Sequence, residues 1–374
     1  MEKYLMMNKD KPVAELALNI MYGTEEFKMQ KLLGDYIPYG YMNINDWIEH
    51  RQAAKHRKHI KKLMKECGCD TKSGFISMTR CASLTDTFWI KKEDDPLDWN
   101  SVSLYRNEFD ETIAKIAFDG TGLYGQQFSP TTPELSTDGA FEKCWMREKD
   151  AKIYLYKRGS EGAANSGMEP YSEVFATQLL NVLGFPHVEY NTIKYHDKLT
   201  SRCELFTSEK AGYVNFAAYT GKRTTVSEKI DIYKSLGLEE KFREMVVTDA
   251  IILNTDRHEG NFGFLVDNDS GEIIGAAPLF DHNLSLLQGS MEHDDIIEYI
   301  EMQTPRIGDD FVAIADSLMT TAIRKKLISL KDFRFTKPDD ECPDWRVDQC
   351  NKILQFQLDK ILALSRTRKK SKSI

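Results

Sequence analysis

The sequence predicts an α+β chain of two lobes with a cleft, preceded by a mainly helical N-terminal region. Three observations carry that expectation. Short strands around a single helix occupy residues 116–215, helical stripes dominate residues 216–374, and polar motifs gather where these two stretches meet. Layers of that kind, packed around separate cores, place ligands at the join. At 374 residues, 41% hydrophobic and 29% charged, the chain is long enough for two or three cores.

Composition bounds the function. A net charge of about −8 argues against nucleic acid as the main partner, because phosphate neutralisation needs a surplus of Lys and Arg. No apolar run approaches the ~18 residues that cross a bilayer, and no basic, apolar leader opens the chain, so a cytoplasmic protein without a transmembrane segment is expected. The seven cysteines are scattered, with only Cys67 and Cys69 close together, and are expected as reduced, mostly buried thiols. The last nine residues, "RTRKKSKSI", are expected as a disordered basic end.

In residues 1–115 the clearest element is "INDWIEHRQAAKHRKHIKKLMKE", expected as one helix capped by Asn45 or Asp46. Arg51, Lys55, Arg57, Lys58, Lys61, Lys62 and Lys65 make it strongly basic. This stretch and the tail Arg366 to Lys372 offer a weak contact with an anionic surface, or a solvated face. "KCWMRE" and "KIYLYKR" alternate around "KDA" and predict a hairpin. "YSEVFATQLLNVLG" follows as a helix with a stripe of Val174, Phe175, Leu179, Val182 and Leu183, Pro170 near its start and Gly184 as its stop. "HVEYNTIKY" and "TSRCELF" then read as strands. Phe242, Met245, Val246, Ala250 and Leu253 line a helix that ends at Asn254, and Val347, Cys350, Leu354, Leu358 and Ile361 line a last one. Between them come "NTDRHEGNFGF", the turn "DNDSG", "EIIGA" and "PLFDHNLSL".

The chemistry is concentrated in these last motifs. His258-Glu259 begins like a zinc-protease helix, but Phe262 stands where the second histidine is needed. "DNDSGEIIGAAP" lacks the third oxygen ligand and final glutamate of a calcium loop, with Gly271 and Pro278 in their places, and reads as a hairpin turn. Phosphoryl transfer fits better. Its enzymes set a catalytic aspartate five residues before an asparagine and a second aspartate beyond the next hairpin. Asp256, Asn261 and Asp281 follow that order. An anion is needed to accept a hydroxyl proton, and a carboxylate with an amide oxygen suits the hard cation Mg2+. Upstream, the loop Ser136, Thr137, Asp138 and Gly139 can cradle phosphates with its N–H groups, Lys157 at a strand end can bridge them, and Glu173 in the first turn of the helix can pair with that lysine.

These motifs resemble the HipA-like serine/threonine kinases of bacteria, whose fold is protein-kinase-like. "STDGAFEK" is similar to that family's phosphate loop, "NTD" with Asn261 to its catalytic loop, and "PLFDHNLS" to its metal-binding segment. "EVFATQLLNVLGF" is similar to the family helix and singles out Glu173 rather than Glu169. The resemblance covers residues 120–365. It implies Asp256 as catalytic base, Asn261 and Asp281 as Mg2+ ligands, and Lys157 as holder of the ATP phosphates. It further implies Glu204 and Phe206 of "CELF" as the hinge beside adenine, and Ser136 as an autophosphorylation site. "DRHEGN" also resembles the loop of phosphoinositide kinases, which adds Arg257 and His258 as catalytic contributors.

The expected function is therefore transfer of phosphate from Mg-ATP to a serine or threonine of a protein substrate, with a regulatory partner protein in addition. Alternatives are a lipid or small-molecule kinase, a metal-dependent phosphohydrolase using His258, Asp281 and His282, and a nucleotide-binding pseudokinase.

Overall fold

The computed structural model describes residues 2–40, 43–122, 128–161, 167–288, 291–293 and 295–371, the last seven of these by backbone alone. The chain divides into two compact units. One comprises Met1–Lys157, Glu204–Lys222 and Gly263–Gly275, and the other Arg158–Cys203, Arg223–Phe262 and Ala276–Ile374.

The first unit opens with an antiparallel sheet, which corrects the expectation of a mainly helical N-terminal region. Glu2–Asn8 and Lys11–Met21 are its central strands, flanked by Thr24–Leu32 at one edge and Phe88–Lys92 at the other. Between Met21 and Thr24 the chain turns at Tyr22 and Gly23, both at positive φ, as a two-residue hairpin with the twist of its strands requires. Lys11–Met21 buries Val13 and Ala14, then Leu16, Ala17 and Leu18. A strand covered on both faces shows no alternation of apolar and polar residues, so periodicity has little hold on it. Tyr4, Leu16, Phe27, Trp47, Ile48, Phe75 and Ile113 share its core.

The expected long basic helix is two helices, Ile44–His50 and Ile60–Glu66. Its cap is Asn43, whose side chain accepts from the Asn45 and Asp46 N–H groups. Asn45 instead exchanges hydrogen bonds with the Phe27 main chain, at 2.8 Å each way. The break comes from two arginines that point inward. Arg51 is buried over the Trp47 ring and pairs with Asp86, and Arg57 donates to the Glu134 and Thr137 carbonyls at 2.7 and 3.2 Å. The stretch 51–65 is therefore not a uniform basic face: two of its cations are structural.

Lys143–Arg147 and Ile153–Arg158 form the expected hairpin, with Lys143 opposite Lys157. In the same unit, Ala211–Asn215 pairs with Gly263–Asp267, beside Ile273–Ala276. The "DNDSG" segment is a turn, as expected: the Asp267 carboxylate accepts from the N–H groups of Asp269 and Ser270, which hold its pKa below the usual range. Residues 1–115 do not stand apart in this unit. Leu84 O accepts from the Thr207 hydroxyl, Thr85 O from Tyr213 N–H at 2.7 Å, and Arg106 grips Glu209 at 2.8 and 3.0 Å.

The second unit contains the predicted helix as Glu169–Leu183, with Pro170 in its first turn and Gly184 at positive φ as its cap. Four residues of its expected apolar stripe are buried, but Val182 is exposed. The hairpin Tyr190–Tyr195 and Lys198–Glu204 follows. Glu239–Ile252 buries Phe242, Met245, Val246 and Ala250, and Leu253 at φ 53° ends it. The last helix, Asp344–Ser371, carries the backbone through most of the stretch expected as a disordered end. The tail's expected surface contact lies outside the described side chains.

Candidate active site

The motif that follows Glu239–Ile252 folds back on the helix through Asn254, whose Nδ2 donates to Asp249 Oδ1 at 2.9 Å. Asn254 Oδ1 in turn accepts the Asp256 N–H at 3.1 Å. A tight turn then brings His258 N–H to Asp256 O at 2.7 Å, and Asn261 Nδ2 reaches that same carbonyl at 3.2 Å. With its amide nitrogen so engaged, Asn261 has its side-chain oxygen left for a ligand. Asp256 itself is half-buried.

Arg257 is buried, and four of its five N–H donors are engaged within the protein. Nε and Nη2 hold the two oxygens of Asp249 at 2.9 and 3.1 Å, while Nη1 donates to Asn261 O at 2.8 Å and Phe280 O at 2.6 Å. Burial alone would weaken its charge, but Asp249 overrides that, and the Arg257 pKa lies above its usual value, with Asp281 and Glu173 adding to the effect. One side chain thus fastens the loop of Asp256 and Asn261 to the segment that presents Asp281.

Asp281 is held on three sides. Arg257 takes the preceding carbonyl, the Tyr190 hydroxyl accepts the Asp281 N–H at 3.3 Å, and the fully buried Glu173 accepts the His282 N–H at 2.7 Å. Burial raises the Tyr190 pKa well above normal, the neighbouring Cys203, Glu173 and Asp281 adding to it, so its hydroxyl stays neutral beside the carboxylates. Asp281 stands at φ 60°, a left-handed conformation uncommon outside glycine, which the surrounding hydrogen bonds fix. Further along, the Ser285 hydroxyl closes the turn onto His282 O at 2.6 Å.

In the first unit, Ser136 ends a short 3-10 helix, Pro133–Ser136, and its hydroxyl donates to Ala82 O at 2.9 Å. Thr137 donates to Pro133 O and accepts from Trp145 Nε1, and Asp138 takes the Gly139 N–H on its carboxylate. Gly139 stands at φ 94°, a conformation that L side chains rarely adopt, with the flexible end of Lys143 beside it. Lys143 bends back to donate to Asp138 O at 2.8 Å, and Lys157 Nζ lies 5.8 Å from the Phe141 ring centroid. The two lysines are buried and directly opposite on one hairpin, so two ammonium groups lie beside one loop. That donor set fits the phosphates of a nucleotide.

The hinge candidates lie in the first unit too. Leu205 N–H donates to Ile153 O at 2.8 Å, and Phe206 packs edge-on against Tyr213. The Glu204 carboxylate pairs with exposed Lys152 at 2.7 Å, so only its main chain remains for a base.

Lys143, Asp249 and Arg306 were not singled out from sequence. Lys143 closes the loop motif itself, whereas Asp249 lies within an apolar helical stripe and Arg306 in a segment without a motif. Arg306 Nη2 stands 3.1 Å from Asp256 Oδ1. The hydrolase alternative finds no support in this geometry. His258 is exposed and accepts the Gly260 N–H on Nδ1, His282 is buried, and among the described residues no group of three or more His, Cys, Asp or Glu is placed to hold a metal.

No family model matches the chain. It is 31% identical over 126 residues to the serine/threonine-protein kinase CtkA of Helicobacter pylori, a match covering 30% of this chain and 38% of that protein. The chain therefore spans well under half the length of that curated relative. The crystal structure of the Helicobacter pylori proinflammatory kinase CtkA matches at TM-score 0.50 and 19% identity, covering 63% of this chain and 94% of that one. HipA of Shewanella oneidensis MR-1, solved with HipB and its operator DNA, matches at TM-score 0.54 and 10% identity over 96% of this chain and 99% of that one. The chain shares its fold with these proteins and resembles the HipA-like serine/threonine kinases.

Proposed function

We propose that the chain is a HipA-like phosphotransferase that uses Mg-ATP to phosphorylate serine or threonine in a protein substrate. The observation that carries this reading is the Arg257 clamp, which fixes the loop of Asp256 and Asn261 against the segment of Asp281. Such fixed spacing is what phosphoryl transfer demands, since its catalysis is positioning and charge neutralisation rather than covalent chemistry by the protein.

In this reading residues 116–215 supply the nucleotide-facing strands and residues 216–374 the catalytic groups. Lys157 and Lys143 hold the phosphates with the Ser136 to Gly139 loop, and the main chain at Glu204 and Phe206 borders the adenine. Asn261 Oδ1 and the Asp281 carboxylate are the hard oxygens that would hold Mg2+, which when bound neutralises phosphate charge. Asp256 accepts the proton of the acceptor hydroxyl. The acceptor oxygen forms its bond to the γ-phosphorus as the bond to ADP breaks. Glu173 and Tyr190 keep Asp281 in place from behind, and Arg257 acts as a positioning residue.

Ser136 is the candidate autophosphorylation site. Its phosphate would forfeit the hydrogen bond to Ala82 O and bring about −1.5 to −2 charges beside that carbonyl, so the loop must rearrange once modified. A lipid-kinase role finds less support, because Arg257 is buried and four of its five N–H donors are engaged inside the protein. Among the described residues no helix is long and apolar enough to cross a membrane, and we place the protein in the cytoplasm on that reading. The HipA neighbour is bound to HipB and DNA; for this chain a regulatory protein partner is proposed and nucleic acid is not, given its net charge of −8.

The test is incubation of the purified chain with Mg-ATP, alone and with cell lysate, followed by phosphosite mapping with Asp281→Ala as control. Phosphoserine or phosphothreonine that depends on Asp281 is expected. Its complete absence, Ser136 included, refutes the proposal.

A further inference from the structure

We propose that Arg306 is the arginine that meets the phosphoryl group in flight, a role that the sequence motif suggested for Arg257. This rests on the phosphotransferase reading and extends it to a residue outside every motif.

The geometry separates the two arginines. Arg257 is buried with four hydrogen bonds inside the protein. Arg306 has a side chain 60% exposed, and it touches Asp256 Oδ1 at 3.1 Å with one nitrogen. A guanidinium has five N–H donors in a fixed fork, so most of those of Arg306 remain available at the carboxylate proposed as the base. Lys229, by contrast, is buried and held by Glu259 and the Thr224 carbonyl, both at 2.6 Å. Arg306 is not loosely attached. Pro305 and Ile307 flank it and line a small enclosed cavity with Val246, Asn254, Phe311 and Ile314. Ile307 is buried, and Gly308 at φ 85° turns the chain there. The anchored backbone aims an exposed side chain at Asp256. An ion pair this exposed adds little stability, so its value lies in what else the guanidinium reaches.

During transfer, negative charge spreads over the equatorial oxygens of the phosphoryl group between ADP and acceptor. Arg306 neutralises that charge with its remaining donors. Its bond to Oδ1 also orients Asp256, leaving Oδ2 for the acceptor proton.

The experiment compares full-length wild type with Arg306→Ala, Arg306→Lys and Asp256→Asn. It measures binding of Mg-ADP, with and without aluminium fluoride as a mimic of the transferring group, together with phosphate transfer from Mg-ATP to casein and to the chain itself. The wild type should bind Mg-ADP more tightly when fluoride is added. Arg306→Ala should keep Mg-ADP affinity within about threefold but lose that tightening and about 100-fold in turnover, the scale of one preorganised donor, with Arg306→Lys partly restoring both. Retained tightening, or turnover in Arg306→Ala equal to or above wild type, overturns the role of Arg306 alone. Wild type without tightening or transfer, or Asp256→Asn at full rate, overturns the phosphotransferase reading and this inference with it.

Discussion

Replacing Arg257 by methionine should damage the fold as much as the chemistry. The substitution roughly conserves volume, but it strips the buried Asp249 carboxylate of its contacts at 2.9 and 3.1 Å. It also leaves the Asn261 and Phe280 carbonyls without the N–H groups now 2.8 and 2.6 Å away. Breaking one side of a buried ion pair costs about 3–5 kcal/mol, because the other charge stays buried and uncompensated. Orphaned buried carbonyls act in the same direction, at ~1–3 kcal/mol each when nothing replaces the donor. Against a total stability of roughly 5–15 kcal/mol, that is a large share. Urea unfolding followed by far-UV dichroism should show Arg257→Met destabilised by at least ~3 kcal/mol. The double variant Asp249→Leu, Arg257→Met should regain a substantial part, since removing both charges removes the desolvation penalty. A loss below ~1 kcal/mol, the scale of an exposed pair, or a double variant no better than the single one, would refute the claim that this pair fastens the two motifs.

Three further outcomes follow from the same geometry. Wild type treated with Mg-ATP should gain one phosphate at Ser136 by mass spectrometry, and Asp256→Asn should gain none; modification of both at equal rates would assign it to a contaminant. Burial raises the carboxyl pKa of Glu134, which accepts from Trp145 N–H and the Thr132 hydroxyl. The folded state then holds its proton more tightly than the unfolded chain, so its contribution is complete below the unfolded pKa and is lost as pH rises through the folded one. Glu134→Gln should accordingly flatten the fall in urea midpoint between about pH 4 and about pH 7, either side of the usual glutamate range, and an unchanged slope would count against it. Burial pushes the half-buried Cys67 thiol to about 12, and the other six cysteines are buried, so iodoacetamide at neutral pH should modify the native chain far more slowly than the unfolded one.

The loop proposed as catalytic was readable as a pattern because its spacing is local. Asp256 and Asn261 lie within one turn, and the hairpin that separates them from Asp281 announces itself through "DNDSG". The same holds for the hairpin before and after "KDA" and for the helix between Pro170 and Gly184, whose ends carry their own stop signals. The N-terminal sheet was not readable. Lys11–Met21 buries successive residues, Val13 with Ala14 and Leu16 with Ala17 and Leu18, so its alternation is lost. The long basic stretch misled for a related reason: Arg51 and Arg57 count as surface charge until Asp86 and the Glu134 carbonyl draw them inward.

What the sequence by itself determined is the order and spacing of the candidate groups, because proton acceptors, hard oxygen ligands and ammonium donors must be particular residue types at particular spacings. What only tertiary structure decided is the division of labour among them. Whether an arginine is a buried clamp or a reaching donor depends on which carbonyls and carboxylates surround it, and those come from distant parts of the chain. Arg257, inside the motif, is consumed by Asp249, Asn261 and Phe280; Arg306, outside any motif, reaches Asp256.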